Sequence, residues 1–190
     1  AHRLARLAHA MRGLRAATLY VPPTLPPPLL AAHLSQLGGA LPCLQELNLR
    51  LGDGTELCAD AAGALGGVGS GLVALSVVGG MLAAGAALQL LSRLAASRTL
   101  RRLCILPAAV AGGGRASGLG DAECGALAGC SGLTHLEFRA HRLTSSGMAQ
   151  LSALAQLQHL AISSLESDMG YEMSSLARMA ALTTLQLALE

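Results

Sequence analysis

Apolar residues recur along this chain in the pattern apolar-x-x-apolar-x-apolar. The blocks are Ala16/Leu19/Val21, Leu44/Leu47/Leu49, Leu72/Leu75/Val77, Leu100/Leu103/Ile105, Leu133/Leu136/Phe138, Leu157/Leu160/Ile162 and Leu182/Leu185/Leu187. Their starts are 28, 28, 28, 33, 24 and 25 residues apart, and three identical intervals are improbable by chance even in a leucine-rich chain. In Leu47-Asn48-Leu49-Arg50 the leucines fall on one side of a strand and Asn48 and Arg50 on the other, because side chains alternate with period two. The pattern predicts strands near 16-21, 44-50, 72-78, 100-106, 133-139, 157-163 and 182-188. Between them the spacing turns helical, with Leu88, Leu91 and Leu94 on one face and Met148, Leu151 and Leu154 on another. Gly85 and Gly147 stand near the starts of these helices, where close packing against the strand layer favours a small residue. No unit of this size can bury its own apolar face. Each strand is therefore expected beside the next, parallel and about 4.8 Å away, with the helices returning over the back.

These blocks resemble the leucine-rich repeat, and the resemblance covers the whole chain as about seven degenerate repeats. The 28-residue units look most like the ribonuclease-inhibitor-like subclass, and the last two like shorter variants. The resemblance implies an α/β solenoid, a horseshoe arc with a parallel concave β-sheet, a helical convex side and a recognition surface on the concave face. One departure concerns the position eight after the first leucine, ordinarily asparagine and here Thr24, Gly52, Gly80, Ala108, His141 and Leu165. Without that asparagine ladder the turns on that edge are expected to be looser. Val21 to Pro28 holds five prolines and predicts an extended, polyproline-like turn. Residues 107-120, with Gly112-Gly113-Gly114-Arg115, predict a flexible loop insertion. Both ends look uncapped, so the chain reads as an excerpt of a longer array that folds poorly alone.

Composition narrows the class. At 190 residues, 52% hydrophobic and 13% charged, the chain fits one domain and is too apolar to be disordered. A net charge of +2 gives no basis for generic nucleic-acid or anionic-membrane binding. Charge is nonetheless uneven: residues 1-120 hold ten arginines and four acids, residues 121-190 three arginines and seven acids. Five cysteines without a CxxC knuckle, and no Asn-x-Ser/Thr acceptor, suggest a reducing intracellular compartment, with the cytoplasm expected. Two segments offer rival readings. Arg3, Arg6, Arg12 and Arg15 resemble an organellar transit segment, yet Leu4, Leu7, Met11 and Leu14 also make one face of an ordinary helix. Ala61 to Ser92 carries no charge over thirty-two positions, as a membrane span would, but the repeat runs through it without a change of phase.

Little of the sequence points to chemistry. The chain has no lysine, which excludes the usual phosphate-binding loop. His135 and His159 are expected in one column with Glu137 nearby; a metal site would need support that three residues in such a row rarely have, so no metal and no cofactor is expected. Cys124 and Cys130 read as buried small hydrophobes. No catalytic residue is assigned. The outward strand positions are the candidate protein-binding set: Tyr20, Glu46, Asn48, Arg50, Arg102, His135, Glu137, Arg139 and His159. Arginine and tyrosine are enriched among interface anchors, which singles out Tyr20, Arg50, Arg102 and Arg139. The expected activity is a non-enzymatic interaction or scaffold module within a larger assembly, with another protein as partner. The alternatives are a GTPase-activating or a ubiquitin-ligase substrate-recognition domain.

Overall fold

The computed structural model describes residues 13–68, 71–108, 118–165 and 175–189. Seven strands form one sheet in chain order: β1 Ala16–Val21, β2 Glu46–Leu57, β3 Ala74–Leu82, β4 Arg102–Leu106, β5 His135–Arg139, β6 His159–Leu165 and β7 Thr184–Leu189. All six neighbouring pairs are parallel. Parallel neighbours cannot be joined by a hairpin, so the chain must return over the sheet before each new strand. The returns carry helices α1 Pro27–Ala40, α2 Ala59–Val68, α3 Ala86–Leu94, α4 Asp121–Leu127 and α5 Ser145–Leu151, then a 3-10 turn at Leu176–Arg178.

Register makes the core. Leu47, Leu75, Leu103, Leu136 and Leu160 stand in one column, and Leu49, Val77, Ile105, Phe138 and Ile162 in the next. All ten are buried. The helices close the other side with Leu34 of α1, Leu65 of α2, Leu90, Leu91 and Leu94 of α3, and Met148 of α5. A second ladder fixes the strand starts. Arg15 O accepts both Gln45 N and Glu46 N, Gln45 O accepts Val73 N and Ala74 N, and Val73 O accepts Arg101 N and Arg102 N. The same doubled bond continues through the carbonyls of Arg101, Thr134 and Gln158. Threonine hydroxyls reinforce this edge, Thr134 donating to Arg101 O and Thr183 to Gln158 O, each at 3.0 Å.

Several expectations are corrected. Ala17 pairs with Leu47 and Leu19 with Leu49, so the first unit runs Leu14/Ala17/Leu19, two residues earlier than Ala16/Leu19/Val21. The first leucine of the later units precedes its strand; Leu44 and Leu72 lie two residues ahead of β2 and β3. Pro27 and Pro28 open α1, where the missing N–H would have had no partner, so only Pro22 to Pro26 makes the turn. Leu88 is exposed, and α3 faces the core through Leu90, Leu91 and Leu94 instead. Gly85 is needed for its left-handed φ of 76°, with open space around it. Gly147 packs against Asp121 and Leu143 rather than the sheet. This closeness lets the Asp121 carboxylate accept from Thr144 N and Thr144 Oγ1, tying the starts of α4 and α5 together.

The edge without asparagines is not loose between β2 and β3. After a shift between Leu51 and Glu56 the ladder resumes at Glu56↔Met81 and Leu57↔Leu82. Gly80, at φ 58°, makes this possible: a Cβ there would lie 2.6 Å from Thr55 O. The apolar run from Ala61 to Ser92 divides among α2, β3 and α3, and among the described residues no helix is long and apolar enough to cross a membrane. The N-terminal arginines through Arg12 and most of the 107-120 insertion, residues 109–117, lie outside the described residues.

Phe138 is fully buried, whereas Leu185, in the outermost column position, is 37% exposed. Phe138→Ala is expected to cost about 3–5 kcal/mol in urea unfolding. Leu185→Ala should cost under about 2 kcal/mol, because less contact is lost and the site is already open to water.

Candidate functional site

The parallel register sets the outward side chains in three rows across the concave face. The first row runs Glu46, Ala74, Arg102, His135, His159, Thr184. The second runs Asn48, Ser76, Cys104, Glu137, Ala161, Gln186. The third, at the C-terminal ends of the strands, holds Tyr20, Arg50, Val78 and Leu106, followed by Arg139 and Ser163. The first two rows line one open groove of about 640 Å³ that reaches from β1 to β7. All nine candidate residues fall on this face, with Glu46, Asn48, Arg102, His135, Glu137 and His159 in the groove and Tyr20, Arg50 and Arg139 in the row beside it.

Within the rows the side chains are differently committed. Arg102 Nη2 donates to Glu46 Oε1 at 2.7 Å, two strands away. The bond passes over β3, where the outward residue is Ala74; a longer side chain would stand in its path. Both partners are about half exposed, so the pair is worth only about 0.2–1 kcal/mol. His135 and His159 stack, ring centroids 4.2 Å apart and planes 21° from parallel. Thr134 Oγ1 lies 2.9 Å from His135 Nδ1. Its hydroxyl proton is given to Arg101 O, so the hydrogen-bond network assigns the donor hydrogen to Nδ1 and leaves Nε2 as the acceptor. Stacked faces do not converge on a common ion, and among the described residues no three His, Cys, Asp or Glu side chains gather as a metal would need.

Arg139 is the opposite case. Its Nε and Nη1 are shielded from water and have no hydrogen-bond partner, and the Ser163 hydroxyl beside it in register is also shielded and unpartnered. Asn48 Oδ1 is another such atom. Arg50 and Tyr20 project freely, Tyr20 at 68% exposure. Cys104, in the middle of the face, was not in the candidate set. Burial raises its thiol to about 11, a hydrogen bond from Ser76 opposes this, and Glu137 adds to it by charge and by hydrogen bond. It is a neutral thiol at physiological pH.

No family model matches the chain, and no curated protein matches it in sequence. Solved structures do match in three dimensions. An internalin from Listeria monocytogenes aligns over 98% of this chain at TM-score 0.57 and 16% identity. The tropomodulin C-terminal domain of Caenorhabditis elegans aligns over 95% at TM-score 0.53 and 11% identity. The fold is that of a leucine-rich-repeat solenoid. The chain spans 45% of the length of the internalin and 88% of the tropomodulin domain.

On this leucine-rich-repeat sheet the histidine stack is the titratable feature. Partial burial lowers the His135 pKa first, and the charges of His159 and Arg102 lower it further. The fold thus favours the neutral ring. This residue's share of stability is intact above the ordinary value of 6.5 and is lost as pH falls through the lowered value. In an NMR titration of the imidazole protons, His135 should show a midpoint below 6.5, and Arg102→Ala and His159→Ala should each move it upward. An unchanged midpoint in both variants would leave burial as the whole cause.

Proposed function

We propose that this chain is a non-enzymatic protein-interaction module that holds a protein partner on the concave face of its sheet. The observation that carries the reading is the seven-strand face itself: one continuous groove that contains Arg102, flanked by a row that carries Tyr20, Arg50 and Arg139. A face of parallel strands is rigid because every backbone group of its interior is bonded within the ladder, so side chains are presented with little ordering cost on binding. Tyr20, Glu46, Asn48, Arg50, Arg102, His135, Glu137, Arg139 and His159 make up the recognition set, and the arginines and tyrosine are its anchors. The helix-backed units of 28 residues support the ribonuclease-inhibitor-like subclass within the leucine-rich-repeat fold. The five cysteines are free thiols, two of them buried in the core, which suits a scaffold working in a reducing intracellular compartment.

The test compares the two sides of the solenoid. Ser76→Arg places a long cation in the middle of the groove, while Gln89→Arg alters the exposed surface of α3. With the full chain as bait in crosslinked affinity purification, partners should be lost at least tenfold with Ser76→Arg and retained with Gln89→Arg. Loss with Gln89→Arg alone would move the interface to the convex side.

A further inference from the structure

In the first two rows of the concave face the charged side chains have polar neighbours on the face itself. In the first, Arg102 is held by Glu46 at 2.7 Å. In the second, Glu137 is engaged with Cys104. The third row differs in kind. It runs Tyr20, Arg50, Val78, Leu106, Arg139, two arginines separated by two apolar side chains, and contains no acid. The one ion pair among the described residues is Arg102–Glu46, which leaves both arginines of this row without a carboxylate partner. Arg139 has already lost water from Nε and Nη1 without gaining an acceptor. An unpaired, partly desolvated guanidinium is unfavourable, and a carboxylate brought to Nη2, the nitrogen not so shielded, pairs a charge whose other two nitrogens need no further desolvation.

Resting on the concave-face reading above, we infer that the third row docks an extended acidic segment of a partner protein, lying across the strands, with carboxylates at positions i and i+4 and an apolar side chain at i+2. The spacing carries the pattern. Arg50 on β2 and Arg139 on β5 are three strand intervals apart, about 14 Å at about 4.8 Å each. An extended peptide rises about 3.4 Å per residue, so side chains at i and i+4 share one face at about 13.6 Å. The residue midway, i+2, falls between Val78 and Leu106, the two apolar positions that separate the arginines. A sugar-phosphate backbone would offer anions to the arginines but nothing apolar to Val78 and Leu106, which favours the peptide over a nucleic acid.

The probe is a fluorescein-labelled peptide with Glu at two positions four apart, Leu midway and Ser elsewhere, read by anisotropy against the full chain. Comparators carry the same residues with the Glu three apart, or Lys in place of both Glu. The matched spacing should bind at least tenfold tighter than the shortened spacing, and the Lys peptide should not bind. Arg50→Gln and Arg139→Gln should each weaken the matched peptide about fivefold, and Arg139→Glu should recover the Lys peptide relative to the parent chain. Equal binding of the two spacings overturns the inference, and this arm needs no variant, so a misfolded Arg139 variant does not blunt it. Tighter binding of a short single-stranded DNA that the double Gln variant abolishes would also overturn it, giving the row to nucleic acid. Self-association of the chain that the double variant dissolves would overturn it in favour of a second copy. If Ser76→Arg loses the cellular partners and the double Gln variant keeps them, the docking segment is wrong and the concave-face reading stands; if neither variant loses them, both fail.

Discussion

Everything in this molecule depends on the one-to-one parallel register of its strands. A single unit exposes two inward leucines on a five-residue strand and cannot remove them from water by itself. Stacked in register, Leu47, Leu75, Leu103, Leu136 and Leu160 cover one another, and each falls to 2% exposure or less. A slip of one residue would turn every inward leucine outward, because side chains alternate. The doubled hydrogen bond at each strand start, one carbonyl accepting two successive N–H groups, holds this phase independently of side-chain identity. It also explains why units of 24 to 33 residues coexist in one array. Length is absorbed in the returns, while the strand start and its two inward residues are invariant in geometry.

The same register makes the outward face of the sheet, and the properties of that face come from which side chains it juxtaposes. Arg102 reaches Glu46 because the intervening residue is Ala74. His135 meets His159 ring to ring because their strands are adjacent and both residues occupy the first outward position. The pairs differ in consequence. An ion pair that is half exposed adds little stability but removes a cation from the surface available to a partner. Partial burial, with the charges of His159 and Arg102, lowers the His135 pKa and so favours its neutral ring in the groove.

Much of the fold was legible in the leucines, because their spacing reflects the burial that stacking demands. Leu47/Leu49 through Leu160/Ile162 occupy inward positions, and the α/β solenoid follows from them. The phase of the first unit was not legible. Ala16, Ala17, Leu19 and Val21 satisfy the apolar pattern in two frames, and only pairing with β2 chooses Ala17 and Leu19. Nor were the glycine roles: Gly85 serves a left-handed φ and Gly147 a contact with Asp121, and a one-letter string carries neither. At the face, alternation placed all nine candidates on the outward side. It could not show that Arg102 is spoken for and Arg139 is not, since that depends on side chains two strands apart and on burial of individual atoms.

That distinction orders the arginines as potential anchors. Arg102 must first leave Glu46 to serve a partner, so its contribution to binding is net of a bond already made. Arg50 is exposed and must be desolvated when a partner arrives, which offsets much of the Coulomb gain. Arg139 has two nitrogens already withdrawn from water with no acceptor in place, so folding has borne the desolvation that binding would otherwise require. Equal charges on one face are thus unequal in energy, and Arg139 is the arginine whose guanidinium the fold leaves both shielded and unpaired.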